Sequence, residues 1–167
     1  MKSGYIRTLF IVMLLLSGQS SADLLRGRVV GVADGDTVTV LNVSNVQHKI
    51  RLMGIDAPEK KMPYGQRSKE HLSQLVFGKQ VAVEYHKKDR YGRIVGKIEV
   101  NGSDANLGQI QAGMAWHYKQ YEREQPEEDR RVYSMAEMDA HNARAGLWAA
   151  PDPVPPWDWR KQQRSRD

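Results

Sequence analysis

The sequence predicts an α+β domain that is mainly β, with five strands closed into a small barrel and three α-helices packed on it. Three observations predict it. Three strand-like stretches follow one another directly, separated only by turns rich in Gly, Asn and Asp. A helical stretch then intervenes before two further strands. Two more helical stretches come last. Strands in that order fit an oligonucleotide-binding-type (OB-fold) barrel, with a generic α+β domain as the alternative.

The first strands cover 24–32 and 37–41, joined by the Asp34-Gly35-Asp36 turn, and the third covers 46–55 after the turn at 42–45. In the third, His48, Ile50 and Leu52 alternate with Lys49, Arg51 and Met53, the period of a half-buried strand. Pro58 has no N–H for a ladder, so extended structure ends near Ala57. A helix over 64–77 carries Leu72, Leu75 and Val76 on one face and stops at Gly78. Strands at 80–85 and 93–100 flank an Arg/Tyr/Gly turn. Ser103 caps a second helix that runs to Ala112. Pro126 opens the third, with Glu127, Glu128 and Asp129 in its first turn, where acids suit the helix dipole; Val132, Ala136, Ala140 and Ala143 form its apolar face.

The chain has 167 residues, 40% hydrophobic and 27% charged, enough for one domain with a real core and too apolar for wholesale disorder. It has no cysteine, which excludes disulfides, thiolate metal sites and cysteine nucleophiles. A net charge of +5 and a pI near 9.5 suit an anionic partner without demanding one. Residues 1–22 have the layout of a secretory signal peptide: Lys2 and Arg7, an apolar run from Leu9 to Leu16, then small residues at Ser20 and Ala22, with cleavage expected after Ala22. The run falls short of the roughly 20 residues a membrane span needs. Cleavage removes two basic and no acidic residues and leaves +3. A secreted or periplasmic protein is expected, monomeric and without stable membrane association. The domain then covers 23–148, and 149–167 is a tail.

Three clusters carry chemistry. Asp34-Gly35-Asp36-Thr37 offers two carboxylates on a tight turn. The stretch from Arg51 to Glu59 reads Arg-Leu-Met-Gly-Ile-Asp-Ala-Pro-Glu and sets an arginine and two carboxylates around a strand end. Asp89-Arg90-Tyr91-Gly92-Arg93 adds two arginines on another turn. These are the parts needed to hold a divalent cation and a phosphodiester together. Each cluster alone also reads as an ordinary turn or surface ion pair. Their order, with a helix between the second and third, resembles the staphylococcal nuclease (thermonuclease) family over about 25–148, and Gly146-Leu147-Trp148 at the end of the third helix is similar to it too.

The resemblance implies that Asp36, Asp56 and the main-chain carbonyl of Ala57 bind Ca²⁺, with Asp34 behind them. It implies Glu59 as general base, or as the group that positions the attacking water. It implies Arg51 and Arg93 as the pair that binds and neutralises the phosphate. Arg90 and Tyr91 would bind a terminal phosphate, and Tyr118 or Tyr121 would line the nucleotide pocket. The family's best-known member has threonine where this chain has Ala57, which matters little if only the backbone oxygen is used. The implied activity is hydrolysis of DNA and RNA, sugar-nonspecific, leaving 3′-phosphate ends and favouring single-stranded or breathing regions.

The chemistry is coherent on its own. Hard oxygen donors suit Ca²⁺ or Mg²⁺, and so few protein ligands imply affinity on the order of 10⁻⁴–10⁻³ M, which fills outside a cell and empties inside one. Arginine's planar fork pairs two phosphate oxygens and stays charged. A barrel that binds nucleic acid without cutting it, or another phosphoesterase, are the competing readings. The tail shifts to Pro151–Pro156, then Trp157, Trp159 and four basic residues. Its tryptophans either clip the tail onto the barrel, with a solvated basic end, or stack bases.

Overall fold

β1 (Asp23–Asp34) is a twelve-residue strand that pairs antiparallel with two others, β2 (Thr37–Asn42) and, further along the chain, β5 (Gln80–Lys88). The structure, a computed structural model, describes residues 22–165. The expected signal segment up to residue 21 lies outside them. Irregularities in the β1–β2 register at Val29/Gly31 and Val32/Asp34 bend this long strand around the barrel. β2 pairs with β3 (Gln47–Leu52), and β5 pairs with β6 (Ile94–Val100). A parallel pairing of β3 with β6 closes the five-stranded barrel. Val38, Val40, Ile50, Val83 and Ile98 are wholly buried within it.

The closing register also sets up chemistry. Ile50 lies opposite Ile94 and Arg51 opposite Val95. Arg93, two residues before Val95, therefore falls on the same face as Arg51 by the strand's two-residue period.

The expected third strand over 46–55 is broken. Gly54 takes φ +76°, and a Cβ there would collide with the Gln125 side chain. The turn at Met53-Gly54 ends β3, and a separate two-residue β4 (Ile55–Asp56) leaves the barrel to pair with β8 (Trp116–His117). The strand alternation was legible; the break required seeing Gly54 as a left-handed turn.

α1 (Gly65–Val76) buries Leu72 and Val76, one turn apart. β7 (Ser103–Asp104) pairs with the end of β6 and leads into α2 (Ala105–Gln111). The cap of α2 is Asp104 rather than Ser103. Both residues lie in β7, and it is the Asp104 side chain that accepts from Leu107 N at 3.0 Å and from the Tyr133 hydroxyl at 2.7 Å. α3 (Glu127–Asn142) follows Pro126 as expected, but its buried face is turned by about one residue. Tyr133, Ala136 and Ala140 are buried, Val132 is only partly so, and Ala143 is exposed. The ring of Tyr133 and its bond to Asp104 outweigh the smaller Val132. Beyond the three expected helices, a fourth, α4 (Pro156–Arg164), forms in the tail. Pro156 at its start is pre-set for a first turn.

Two buried amides on α2 tie the barrel to its loops. Asn106 donates to the carbonyls of Met53 (3.0 Å) and Gly96 (3.2 Å) and accepts from Ile98 N (3.1 Å). Gln109, one turn on, donates to the Gly35 carbonyl at 2.7 Å and the Ser68 carbonyl at 3.1 Å. Each gives a partner to a buried loop carbonyl, Met53 for Asn106 and Gly35 for Gln109, so removing it leaves that group short of a bond. Asn106→Leu is expected to destabilise the fold by about 2–4 kcal/mol, measured as a lower midpoint of urea unfolding at unchanged slope.

Candidate active site

The Asp34–Asp36 turn is pressed into a crowded corner. Asp34 Oδ1 accepts from Asp36 N at 3.1 Å, the side-chain-to-backbone bond that Asp makes in tight turns. Gly35 is there because a Cβ would overlap Ser68 and Ala57. With its carbonyl held by Gln109, the turn has one position, and Asp36 is buried in it. Asp36 Oδ1 accepts from Thr37 Oγ1 at 3.1 Å, and Oδ2 accepts from Ala57 N at 2.8 Å. That last bond joins the first acidic cluster directly to the second.

Asp56 is 0% exposed. β4 sets its backbone opposite Trp116, and the Tyr118 N–H donates to the Gly54 carbonyl at 2.8 Å. Arg51 reaches across from β3: Nη2 donates to Asp56 Oδ1 at 2.8 Å, and Nη1 donates to the Ile55 carbonyl at 2.9 Å and lies 3.1 Å from Asp36 Oδ2. Arg51 thus bridges both acidic clusters. Burial pushes the Asp56 carboxyl above the usual carboxylate range, while bonds from Arg160 and the charge of Arg51 pull it back.

The hairpin between β5 and β6 brings the third cluster. Asp89 accepts from Tyr91 N (2.9 Å), Arg93 N (3.0 Å) and Arg93 Nε (2.8 Å), which fixes the base of the turn and the orientation of Arg93. At the tip, Arg90 donates to the Tyr91 hydroxyl at 2.8 Å, and the Arg90 and Arg93 guanidinium groups lie 4.9 and 5.6 Å from the Tyr91 ring centre.

One cleft of about 640 Å³ is lined by Asp34, Asp36, Arg51, Asp56, Ala57, Glu59, Arg90, Tyr91, Arg93 and Tyr118. All the residues singled out in the sequence converge there. Tyr118 is half-buried: Trp157 stacks on it (5.5 Å between centres, 6° between planes) and Tyr121 meets it edge-on at 4.9 Å. The five histidines carry no cluster in the cleft. His117, for example, is buried and pairs with Gln125 at 3.0 Å.

Among the groups in or behind the cleft that were not singled out in the sequence, three bear directly on its carboxylates or their loops. Gln109 and Asn106 read as ordinary polar helix positions, and only their spacing one turn apart on an otherwise buried face would have marked them. The third is Arg160 of α4, which reaches Asp56 and Glu59. Its signal was the tryptophan-basic pattern of the tail, which does not say where the tail folds back.

Among the described residues no three His, Asp or Glu side chains group closely enough to hold a metal by themselves. The donors at hand are two carboxylates, Asp36 and Asp56, and the Ala57 peptide bonded to Asp36. That hard-oxygen set fits Ca²⁺ or Mg²⁺ with water and substrate completing the shell, and no softer ion.

Asp34 shows the strain of this crowding. Burial, and then the charge of Asp36, push its carboxyl up to about 6. A carboxyl raised in the folded state holds its proton longer than in the unfolded chain. The fold is therefore penalised as pH climbs from the unfolded value of 3.8 through 6. In chelator, Asp34→Asn is expected to raise stability at pH 7.5 by roughly 1–3 kcal/mol and to leave it nearly unchanged at pH 3.5, read from urea midpoints at both pH values.

Comparison with known proteins gives this geometry its lineage. The family profile described as "Staphylococcal nuclease homologue" matches residues 49–150. An "Uncharacterized endonuclease" of Escherichia coli is 43% identical over 140 residues, covering 83% of this chain and 87% of its own length. Another of the same description from Haemophilus influenzae is 41% identical over 137 residues, covering 82% and 74%. The "Staphylococcal-like nuclease CAN1" of Arabidopsis thaliana is 42% identical over 116 residues, covering 70% of this chain and 34% of the plant protein. The chain belongs to the staphylococcal nuclease family.

Proposed function

We propose that this protein is a nuclease, a hydrolase of phosphodiester bonds in DNA and RNA, indifferent to the sugar and dependent on Ca²⁺. The observation that carries the reading is the meeting of Asp36, Asp56, Glu59, Arg51 and Arg93 around one cleft, from three separate stretches of chain. The names of its relatives point the same way. A non-catalytic binding barrel needs neither paired buried carboxylates nor a partly exposed glutamate beside them.

In this reading the scissile phosphate lies between Arg51 and Arg93. Their positive charge neutralises a group that would otherwise repel a nucleophile, and does so most strongly as charge builds in the transition state. Glu59, at the cleft and partly open to solvent, takes the proton of a water molecule attacking phosphorus in line with the departing 5′-oxygen. The P–O5′ bond breaks and the phosphate stays on the 3′-oxygen. Asp36, Asp56 and the Ala57 carbonyl would hold the cation, which supplies Lewis acidity and fixes the phosphate. Arg90 and Tyr91 at the hairpin tip take a neighbouring phosphate, and Tyr118 and Tyr121 form an aromatic wall for an unstacked base, favouring single strands. Export by the 1–22 segment would place the enzyme, as a monomer, in the periplasm or outside the cell, where calcium is plentiful.

Purified mature protein is expected to cut single-stranded DNA, duplex DNA and RNA with calcium, fastest on single strands, and to stop in chelator. Cleavage that persists in chelator, or products carrying 5′-phosphates, would overturn the assignment. Arg93→Lys keeps the charge and loses the fork. It should cost about 2–4 kcal/mol of transition-state stabilisation in kcat/KM, and near-wild-type turnover would count against the phosphate role.

A further inference from the structure

α4 lies beyond the residue at which the family match ends, yet it delivers a guanidinium to the middle of the cleft. Its anchoring is aromatic. Trp157 stacks on Tyr118 and meets Trp116 edge-on at 5.7 Å, and Trp116 in turn packs on Trp148 at 4.3 Å. Pro156, ahead of it, is buried. Arg160 is three residues past Trp157 and so lies on the same helix face. Its Nη2 donates to Asp56 Oδ2 at 2.7 Å, and its Nη1 donates to Asp56 Oδ1 at 3.2 Å and to Glu59 Oε1 at 2.9 Å. The fork is thus nearly bidentate on the buried carboxylate and bonded to one oxygen of the exposed one.

We propose that Arg160 is a positioning residue of the active site: by spanning Asp56 and Glu59 it fixes the Glu59 carboxylate relative to the cation ligand Asp56. This rests on the nuclease reading above. Two features favour a positioning role over that of a plug. The cleft keeps its volume of about 640 Å³ with Arg160 in its wall beside Arg51 and Arg93. And Asp36, the other carboxylate of the cation site, is bonded to Thr37, Ala57 and Arg51, so Arg160 engages only one of the two. Glu59 follows Pro58 on a loop, and its side chain is 43% exposed. Without a partner such a carboxylate samples several rotamers. Bonded through Oε1, it keeps Oε2 in a fixed relation to Asp56. The burial of Arg160 works against its charge, but Asp56 and Glu59 outweigh that and hold the guanidinium more firmly protonated than usual.

The test uses the mature chain and its Arg160→Gln and Arg160→Lys variants on a labelled single-stranded oligonucleotide with calcium. Melting temperature and a calcium titration followed by tryptophan fluorescence accompany the kinetics. Arg160→Gln is expected to lower kcat by about 10–100-fold with KM changed less than about threefold, while calcium binds equally well or more tightly. Arg160→Lys, which keeps a donor but not the fork, should recover part of the loss. If Arg160→Gln does not fold, the kcat of Arg160→Lys carries the test by the same criterion. Unchanged kcat in a folded variant would overturn the proposal. So would a raised kcat with tighter calcium binding, which would make α4 an inhibitory latch. A loss confined to KM would instead make Arg160 a phosphate-binding group and would also overturn it. Wild-type protein that cuts nothing would refute the nuclease reading itself, whereas wild-type cleavage matched by Arg160→Gln refutes only the role of Arg160.

Discussion

A carboxylate with no access to water has to be compensated where it stands, and Asp56 is such a group. Its position at the end of a two-residue strand gives it no freedom to swing toward solvent. Two guanidinium groups therefore come to it, Arg51 from the barrel wall and Arg160 from the last helix. Much of the local architecture serves this need. Arg51 is kept in place by the carbonyls of Leu52 and Ile55 as well as by Asp36, and α4 is clamped by stacked rings. Removing either arginine leaves a buried charge short of a partner, so a loss of activity in such variants has to be read beside a measure of folding.

The second organising element is α2, which is only seven residues long. Too short to contribute much apolar area, it contributes two amides instead. Through Asn106 it holds the turn that releases β4 from the barrel, and through Gln109 it holds the turn that carries Asp36. The two loops that supply the acidic groups are therefore fastened to neighbouring positions of one helix. This satisfies buried backbone groups and sets the distance between the loops at the same time.

The barrel strands, α1, α3 and the meeting of the three charged motifs in one cleft were legible because they depend on local signals: two-residue alternation, a glycine stop, a proline start and three charged motifs in order. What escaped were features decided by distant partners. The break after Leu52 depends on Gly54 facing Gln125. The shift of the α3 face depends on the bond between Tyr133 and Asp104. The Asp104 cap is braced from α3, whose Tyr133 hydroxyl donates to the same carboxylate. The tail was the largest omission. A proline run followed by tryptophans and basic residues reads as a clip with a solvated end, or else as a grip on bases. The structure shows a clip whose first basic residue is not solvated: Arg160 turns inward to the carboxylates, while 161–165 are exposed. Nothing within the tail itself encodes that destination.

The parallel pairing of β3 with β6 has a consequence for how such a site can vary. Arg51 lies in that ladder and Arg93 directly precedes its first pair, Ile50 with Ile94, so shifting their backbones apart means slipping the strands, each step of which would also turn core side chains outward. Arg90 and Tyr91 lie on the far side of Asp89, on a tip whose length the ladder does not dictate. Lengthening or swapping that tip would refit the outer contacts to a different nucleic-acid shape while the inner arginine pair kept its gauge.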